Sequence, residues 1–206
     1  MSAIQSKSAF LHRQIRRALR SGRYVPGQRI DPAAIADEFR TSATPVRFAL
    51  YRLVGEGLIA DHARSGLYVP LFTEVALRDL YDWMERLLVM ACDVGFGTTP
   101  LTPEDPKPAA CDDIPRQTWQ LFDSIARATG HRYLYQSVKQ ANDRLAPIRR
   151  AGSFDNAREE LSKLMQHWQE RDIRSLKAGL STYHERRKQV VPRIVACLDN
   201  DSDLLS

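Results

Sequence analysis

The chain has 206 residues, a formal charge of +5 and 43% hydrophobic residues, enough for one large domain or two small ones with ordinary cores. The positive balance favours a polyanionic partner. No apolar run approaches the roughly 20 residues that span a bilayer, and the start lacks an apolar signal-peptide core, so a cytoplasmic protein without membrane contact is expected. Cys92, Cys111 and Cys197 are far apart and lack CxxC spacing, which argues against a disulfide framework or a zinc site and reads as free thiols.

In chain order, Phe10, Leu11, Ile15, Ala18 and Leu19 recur at helical spacing between basic residues, predicting a helix from Ile4 to Ser21 with a basic flank. Gly22 ends it, and Pro26-Gly27 turns the chain into a short extended pair, Arg29-Ile30. Asp31 caps a second short helix with Pro32 at its first position and Ile35, Ala36 and Phe39 inward. The next helix lies within Thr41–Gly57: Ser42 or Thr44 offers a cap, Pro45 fits the first turn, and Gly55 and Gly57 stop it. Val46, Leu50, Leu53 and Val54 form its apolar stripe, leaving Arg47, Tyr51 and Arg52 on other faces. Two extended runs, Leu58–Asp61 and Leu67–Pro70, then flank a flexible basic tip from His62 to Gly66, the pattern of a β-hairpin. Three helices and a hairpin in this order predict a winged helix-turn-helix over residues 1–72.

The runs IRRALRSGRYVPGQRI, IADEFRTSATPVRFALYRLVGEGLI and RSGLYVP closely resemble the GntR family of bacterial transcription regulators over about residues 10 to 70. The resemblance implies DNA contacts by Ser42, Thr44 and Arg47 from the first turn of the third helix and by a wing comprising His62, Arg64, Ser65 and Gly66; Arg52, off the apolar stripe of the same helix, is a further expected contact in the major groove. A helix N-terminus suits this role, because its free N–H groups and positive dipole end favour phosphate. Family members commonly carry a further arginine where this chain has Ala43, so its operator is expected to depart from the common pattern, with Arg40 replacing some of the lost charge. A homodimer on an inverted-repeat operator is the corresponding partner expectation, as a repressor.

Residues 73–206 read as an all-α bundle. A long helix from Thr73 to Phe96 carries Val75, Leu77, Leu80, Trp83, Met84, Leu87, Leu88 and Ala91 as a broad apolar surface. A proline-rich loop follows over about residues 97–112. Helices are then expected over Ile114–Ala128, Tyr133–Arg150, Phe154–Gln169 and Asp172–Leu198, the last bent or broken at Pro192.

The segments FDSIARATGHRYL and EELSKLMQHWQERDIRSLKAGLSTYH are similar to the helical effector-binding domain of the FadR subgroup. That resemblance implies a divalent-cation site of one Asp and three His, but those positions fall on Trp119, Asp123, Leu161 and Tyr183, and His184 lies one residue beyond, about 100° round the helix. No bound metal or cofactor is expected, and Asp123 reads as a solvated or capping carboxylate. Two further pocket positions become Met84 and Leu88, so Met84, Leu88, Trp119, Asp123, Leu161 and Tyr183 would line a pocket for a small apolar or aromatic effector. No nucleophile elbow, paired acid and base or phosphate-cradling loop is present, so catalysis is not expected. The alternative is a winged-helix protein-interaction adaptor without specific DNA binding.

Overall fold

The computed structural model describes residues 2–63, 66–96, 113–152 and 154–203. The chain divides into two compact units, residues 1–71 with 196–206, and residues 72–195.

The first unit opens with α1 (Ser2–Arg20), followed by β1 (Arg29–Ile30), α2 (Pro32–Glu38), α3 (Ala43–Gly55), β2 (Ala60–His62) and β3 (Gly66–Tyr68). Its core is continuous: Leu11, Ile15 and Leu19 from α1 meet Ile35 and Ala36 from α2 and Val46, Ala49, Leu50 and Leu53 from α3, closed by Leu58, Ile59, Leu67 and Val69. The expected two-stranded hairpin has a third member. β1 pairs antiparallel with β3, giving the order β1-β3-β2, and its edge is fixed further by Gly27 N–H donating to the Val69 carbonyl and Val69 N–H to that of Gln28.

The second unit holds α4 (Glu74–Val94), α5 (Ile114–Ala128), α6 (Arg132–Ala151), α7 (Ala157–Glu170) and α8 (Ile173–Gln189), and α9 spans Val191–Asp203. Thr73, Asp113, His131 and Asp172 each cap the following helix by accepting a backbone N–H. The last predicted helix is indeed two, broken at Val190 with Pro192 in the first turn of the second, where its missing N–H leaves nothing unpaired. α4 packs on α5, α6 and α8, α5 on α6 and α7, and α7 on α8.

Two residues expected on the apolar surface of α4 face outward: Val75 is 69% exposed and Trp83 49%. Tyr81 and Cys92 occupy the interior instead. Burial pushes the Cys92 thiol up to about 12, so it is inert at neutral pH; Cys197 is exposed, and Cys111 lies outside the described residues. Among the described residues no helix is long and apolar enough to cross a membrane.

Candidate nucleic-acid interface

The turn between α2 and α3 sets the site. Asp31 Oδ1 accepts from Ala33 N–H at 2.8 Å, starting α2. At its other end Thr41 N–H reaches back to the Ala36 carbonyl and Arg40 N–H to that of Asp37, the paired bonds of a Schellman turn. The turn needs a left-handed residue, which is Arg40, at φ 46°. A side chain costs about 1 kcal/mol there relative to glycine. Arg40→Gly is therefore expected to raise stability by up to about 1 kcal/mol in chemical denaturation; a loss of stability would mean that the Arg40 side chain makes a compensating contact. A basic residue kept at this cost stands next to the first turn of α3.

Ser42 occupies the N-cap position of α3 with extended backbone, but its hydroxyl makes no capping bond, contrary to one of the two expectations for this helix start. The hydroxyl is exposed. Val46, Ala49, Leu50 and Leu53 are buried, and Val54 is half-buried at the border. The outward face carries Thr44, Arg47, Phe48 and Tyr51 at i, i+3, i+4 and i+7. Among the described residues Arg47 has no acidic partner. Phe48, 61% exposed, and Tyr51, 56% exposed, are aromatic groups that an amphipathic count passes over, since their spacing puts them beside Arg47 and not in the stripe. Exposed aromatics between basic residues are the usable signal.

Arg52 is placed differently. It is exposed, yet its Nε lies 3.5 Å from Glu56 Oε1. Glu56 also accepts from His12 Nε2 at 3.0 Å and lies 3.4 Å from Arg16. Partial burial opposes ionisation of Glu56, but the His12 hydrogen bond and the charges of His12, Arg16 and Arg52 outweigh it and hold its carboxyl below the usual range. This network ties the end of α3 to α1. Gly57, at φ 70°, closes the helix: Leu58 N–H donates to the Leu53 carbonyl and Gly57 N–H to that of Val54. Gly55 is still helical.

In the wing, Arg64 and Ser65 lie outside the described residues. Gly66 begins β3 at φ 95°, and the Arg29 guanidinium passes 3.8 Å from where a Cβ would stand. Arg29, exposed on β1, is thus a basic group beside the wing that a two-residue strand gave no reason to select. His62 stacks edge-on against Tyr68, ring centres 5.7 Å apart.

Of the six expected effector-site residues of the helical unit, five are buried and Trp119 is half-buried. Met84, Leu88 and Leu161 are fully buried. Trp119 donates from Nε1 to Asp143 at 2.7 Å. Asp123 is not solvated as expected but buried, accepting from Arg127 at 2.6 Å and Tyr135 Oη at 3.2 Å. Tyr183 packs edge-on against Phe122 at 5.4 Å. The larger departure is His184, expected to face away from the axis. It is fully buried, stacked on Phe122 at 5.7 Å, with Nδ1 2.7 Å from the Leu180 carbonyl. Burial first, then the nearby Arg149 and Arg187 charges, push its pKa down to about 3, so it is neutral with Nδ1 protonated toward that carbonyl. The four aligned metal positions offer one carboxylate, already taken by Arg127 and Tyr135, and no imidazole; they do not fit a divalent cation.

Residues 7–69 match the model of the gntR family of bacterial regulatory proteins. A curated relative, the Nta operon transcriptional regulator of Aminobacter aminovorans, is 36% identical over 59 residues; the match spans 29% of this chain and 28% of that protein. Two solved structures share the fold across both units. A protein described as a transcriptional regulator GntR from Rhodococcus sp. RHA1 aligns with a TM-score of 0.77 at 15% identity over 90% of this chain and 97% of its own. E. coli McbR/YncC aligns at 0.69 with 18% identity over 91% and 97%. The family match coincides with the three-helix, winged arrangement around α3, and residues 7–69 therefore form a winged-helix domain of the gntR family of bacterial regulatory proteins.

Proposed function

We propose that the protein is a cytoplasmic, sequence-specific DNA-binding transcriptional regulator that acts as a homodimer on an inverted-repeat operator, as a repressor, with no catalytic activity and with a helical half of the FadR-like kind that receives a small effector. The observation that carries the reading is the outward face of α3, where Arg47 is exposed without an acidic partner beside Thr44, Phe48 and Tyr51. The guanidinium suits bidentate readout of guanine, the aromatic edges suit thymine methyl groups, and Ser42 and Thr44 at the helix start suit phosphate or base edges. Minor-groove contacts are assigned to the wing residues Arg64, Ser65 and Gly66 from the sequence, and Arg40 supplies charge at the entry to α3. Arg52, tethered to Glu56, serves as a phosphate contact from the far end of the helix.

A titration of the full chain against DNA upstream of its own gene, at two salt concentrations, tests this reading. Sequence-specific binding that weakens with salt is expected; weak, sequence-indifferent binding would favour the protein-interaction alternative. Support for the dimer comes from α4, which leaves Val75, Trp83, Met90 and Val94 each about half exposed or more, within an arc of about 100°. Trp83→Glu is expected to yield a monomer in analytical ultracentrifugation and to cost operator affinity at least about tenfold, since one winged helix reaches only one half-site. An unchanged sedimentation coefficient would place the dimer contact elsewhere.

A further inference from the structure

α1 carries much of the positive charge of the winged-helix unit, and only part of that charge is neutralised. Among its 19 residues Lys7, Arg13, Arg16, Arg17 and Arg20 are cationic and none is acidic. Arg16 stands beside Glu56 together with His12. Lys7, Arg13 and Arg17 are exposed and have no acidic partner among the described residues. At about 100° per residue these three share an arc of about 120° with Phe10 and Gln14, along about 15 Å of helix. Leu11, Ile15 and Leu19 lie on the other side of α1 and meet Val46, Ala49, Leu50 and Leu53 of α3 in the core. The basic arc of α1 and the Arg47 face of α3 therefore look away from each other, one on each side of that core.

Next to the arc is a cleft of about 360 Å3 between α1 and α2. Arg17, Ala18 and Ser21 line it from α1, Glu38 and Phe39 from the end of α2, and Tyr24 from the turn after α1. Clefts that hold small ligands measure about 300–1,000 Å3, so this one has room for a single large side chain. Phe10, 44% exposed, stands edge-on to Phe39 with ring centres 6.2 Å apart, which gives the arc and the cleft a common aromatic border. Glu38 is held by Arg23 through two hydrogen bonds of 2.7 Å, so the charge left over at the rim is positive. Arginine and aromatic side chains around a pocket are the anchors that carry most of the energy in protein–protein contacts. A DNA duplex, with its bases stacked inside, would bring phosphates to Glu38 and nothing to fill the cleft.

We propose that this face of the winged-helix unit docks an acidic segment of another protein, which lays carboxylates along Lys7, Arg13 and Arg17 and inserts one aromatic side chain into the cleft beside Phe39. The guanidinium forks of Arg13 and Arg17 gain the bidentate acceptors that the chain itself does not supply. Because the face looks away from α3, the segment can be held while α3 is occupied. The inference goes beyond the regulator reading and stands without it.

Fluorescence anisotropy of the full chain with a short fluorescein-labelled peptide, glutamates around one central phenylalanine, is the test. Saturable binding with a Kd of about 100 μM or tighter is expected, weakening with salt. Combining Arg13→Gln with Arg17→Gln should weaken it at least about tenfold. Phe10→Ala leaves every charge in place and should weaken it about threefold or more, which separates docking from general attraction of an anion. All three side chains are on the exposed side of α1, so the melting temperature should not move. The same peptide with glutamine for glutamate should not bind. No saturable binding by the wild-type chain, equal binding of the glutamine peptide, or binding indifferent to the variants overturns the proposal. So does an affinity for duplex DNA that falls in step with that for the peptide, which would assign the arc to the phosphate backbone. A sedimentation coefficient changed in the double variant would assign it to a contact between copies, and overturns the proposal as well. Failure of wild-type operator binding with peptide binding intact would refute the regulator reading alone.

Discussion

Replacing Arg47 by alanine is expected to abolish specific operator binding while leaving the protein folded. A bidentate arginine contact to guanine is worth about 1–3 kcal/mol of discrimination. A dimer makes the contact twice, so the loss should reach about 2–6 kcal/mol, roughly 30-fold or more in dissociation constant. Stability should change little, within about 0.5 kcal/mol, because the α3 residues that hold the winged helix together, Val46, Ala49, Leu50 and Leu53, face inward while Arg47 is exposed. The diagnostic readout is the difference between operator and scrambled DNA. If Arg47 reads a base, the two affinities converge in the variant; if it holds only phosphate, both fall together and the salt slope drops by about one contact per subunit. Fluorescence anisotropy at two salt concentrations separates these cases. Unchanged affinity for both DNAs would remove the basis for the regulator reading.

The parts of this molecule that were legible in its sequence are those fixed by local chemistry. Pro32 and Asp31 start α2 as expected, Ile114–Ala128 is helical to the residue, and the chain breaks near Pro192. In each case the signal is a missing N–H, a cap or a left-handed glycine, which acts within one turn. β1 is only two residues long and becomes a strand by pairing with Tyr68 and Leu67, nearly forty positions later; no periodicity can announce that. Periodicity likewise marked Val75 and Trp83 as apolar on α4, but not whether that part of the face is covered.

The polar interior of the helical unit was the least legible part, since Arg and His read as surface groups until their partners are known. A trace of it does exist in the spacing. Asn142, Leu145, Ala146 and Arg149 fall at i, i+3, i+4 and i+7 on α6, and Leu176, Leu180, Tyr183 and Arg187 fall at i, i+4, i+7 and i+11 on α8, so each arginine continues a helical stripe. A charge on such a stripe is either an error of register or a buried charge with a purpose. His184 lies about 100° round the helix from residue 183, but the stripe of α8 is wide enough to bury both.

The buried charges also set the largest stability effect expected of a single substitution. Glu160, near the start of α7, accepts from Arg187, which is 4% exposed in its side chain, and from Arg186 at 2.7 Å. Arg187 lies over the Tyr183 ring at 4.0 Å and the Phe154 ring at 4.7 Å, so its stem and plane are enclosed and it cannot turn to water. Glu160→Gln preserves shape but removes the counter-charge, leaving a buried cation; the expected cost is about 3–5 kcal/mol, which lowers the melting transition of the helical unit by roughly 10 °C or more. The neighbouring Glu159→Gln supplies the contrast. Glu159 pairs with Lys163 at 2.7 Å, but both side chains are 65% exposed and solvent screens the pair, so this loss should leave the melting transition nearly unchanged. Adding Arg187→Met to Glu160→Gln should recover much of the stability, because the penalty lies in the uncompensated charge more than in the lost attraction. A double variant no more stable than Glu160→Gln alone would mean that Glu160 acts through the start of α7 and not through Arg187.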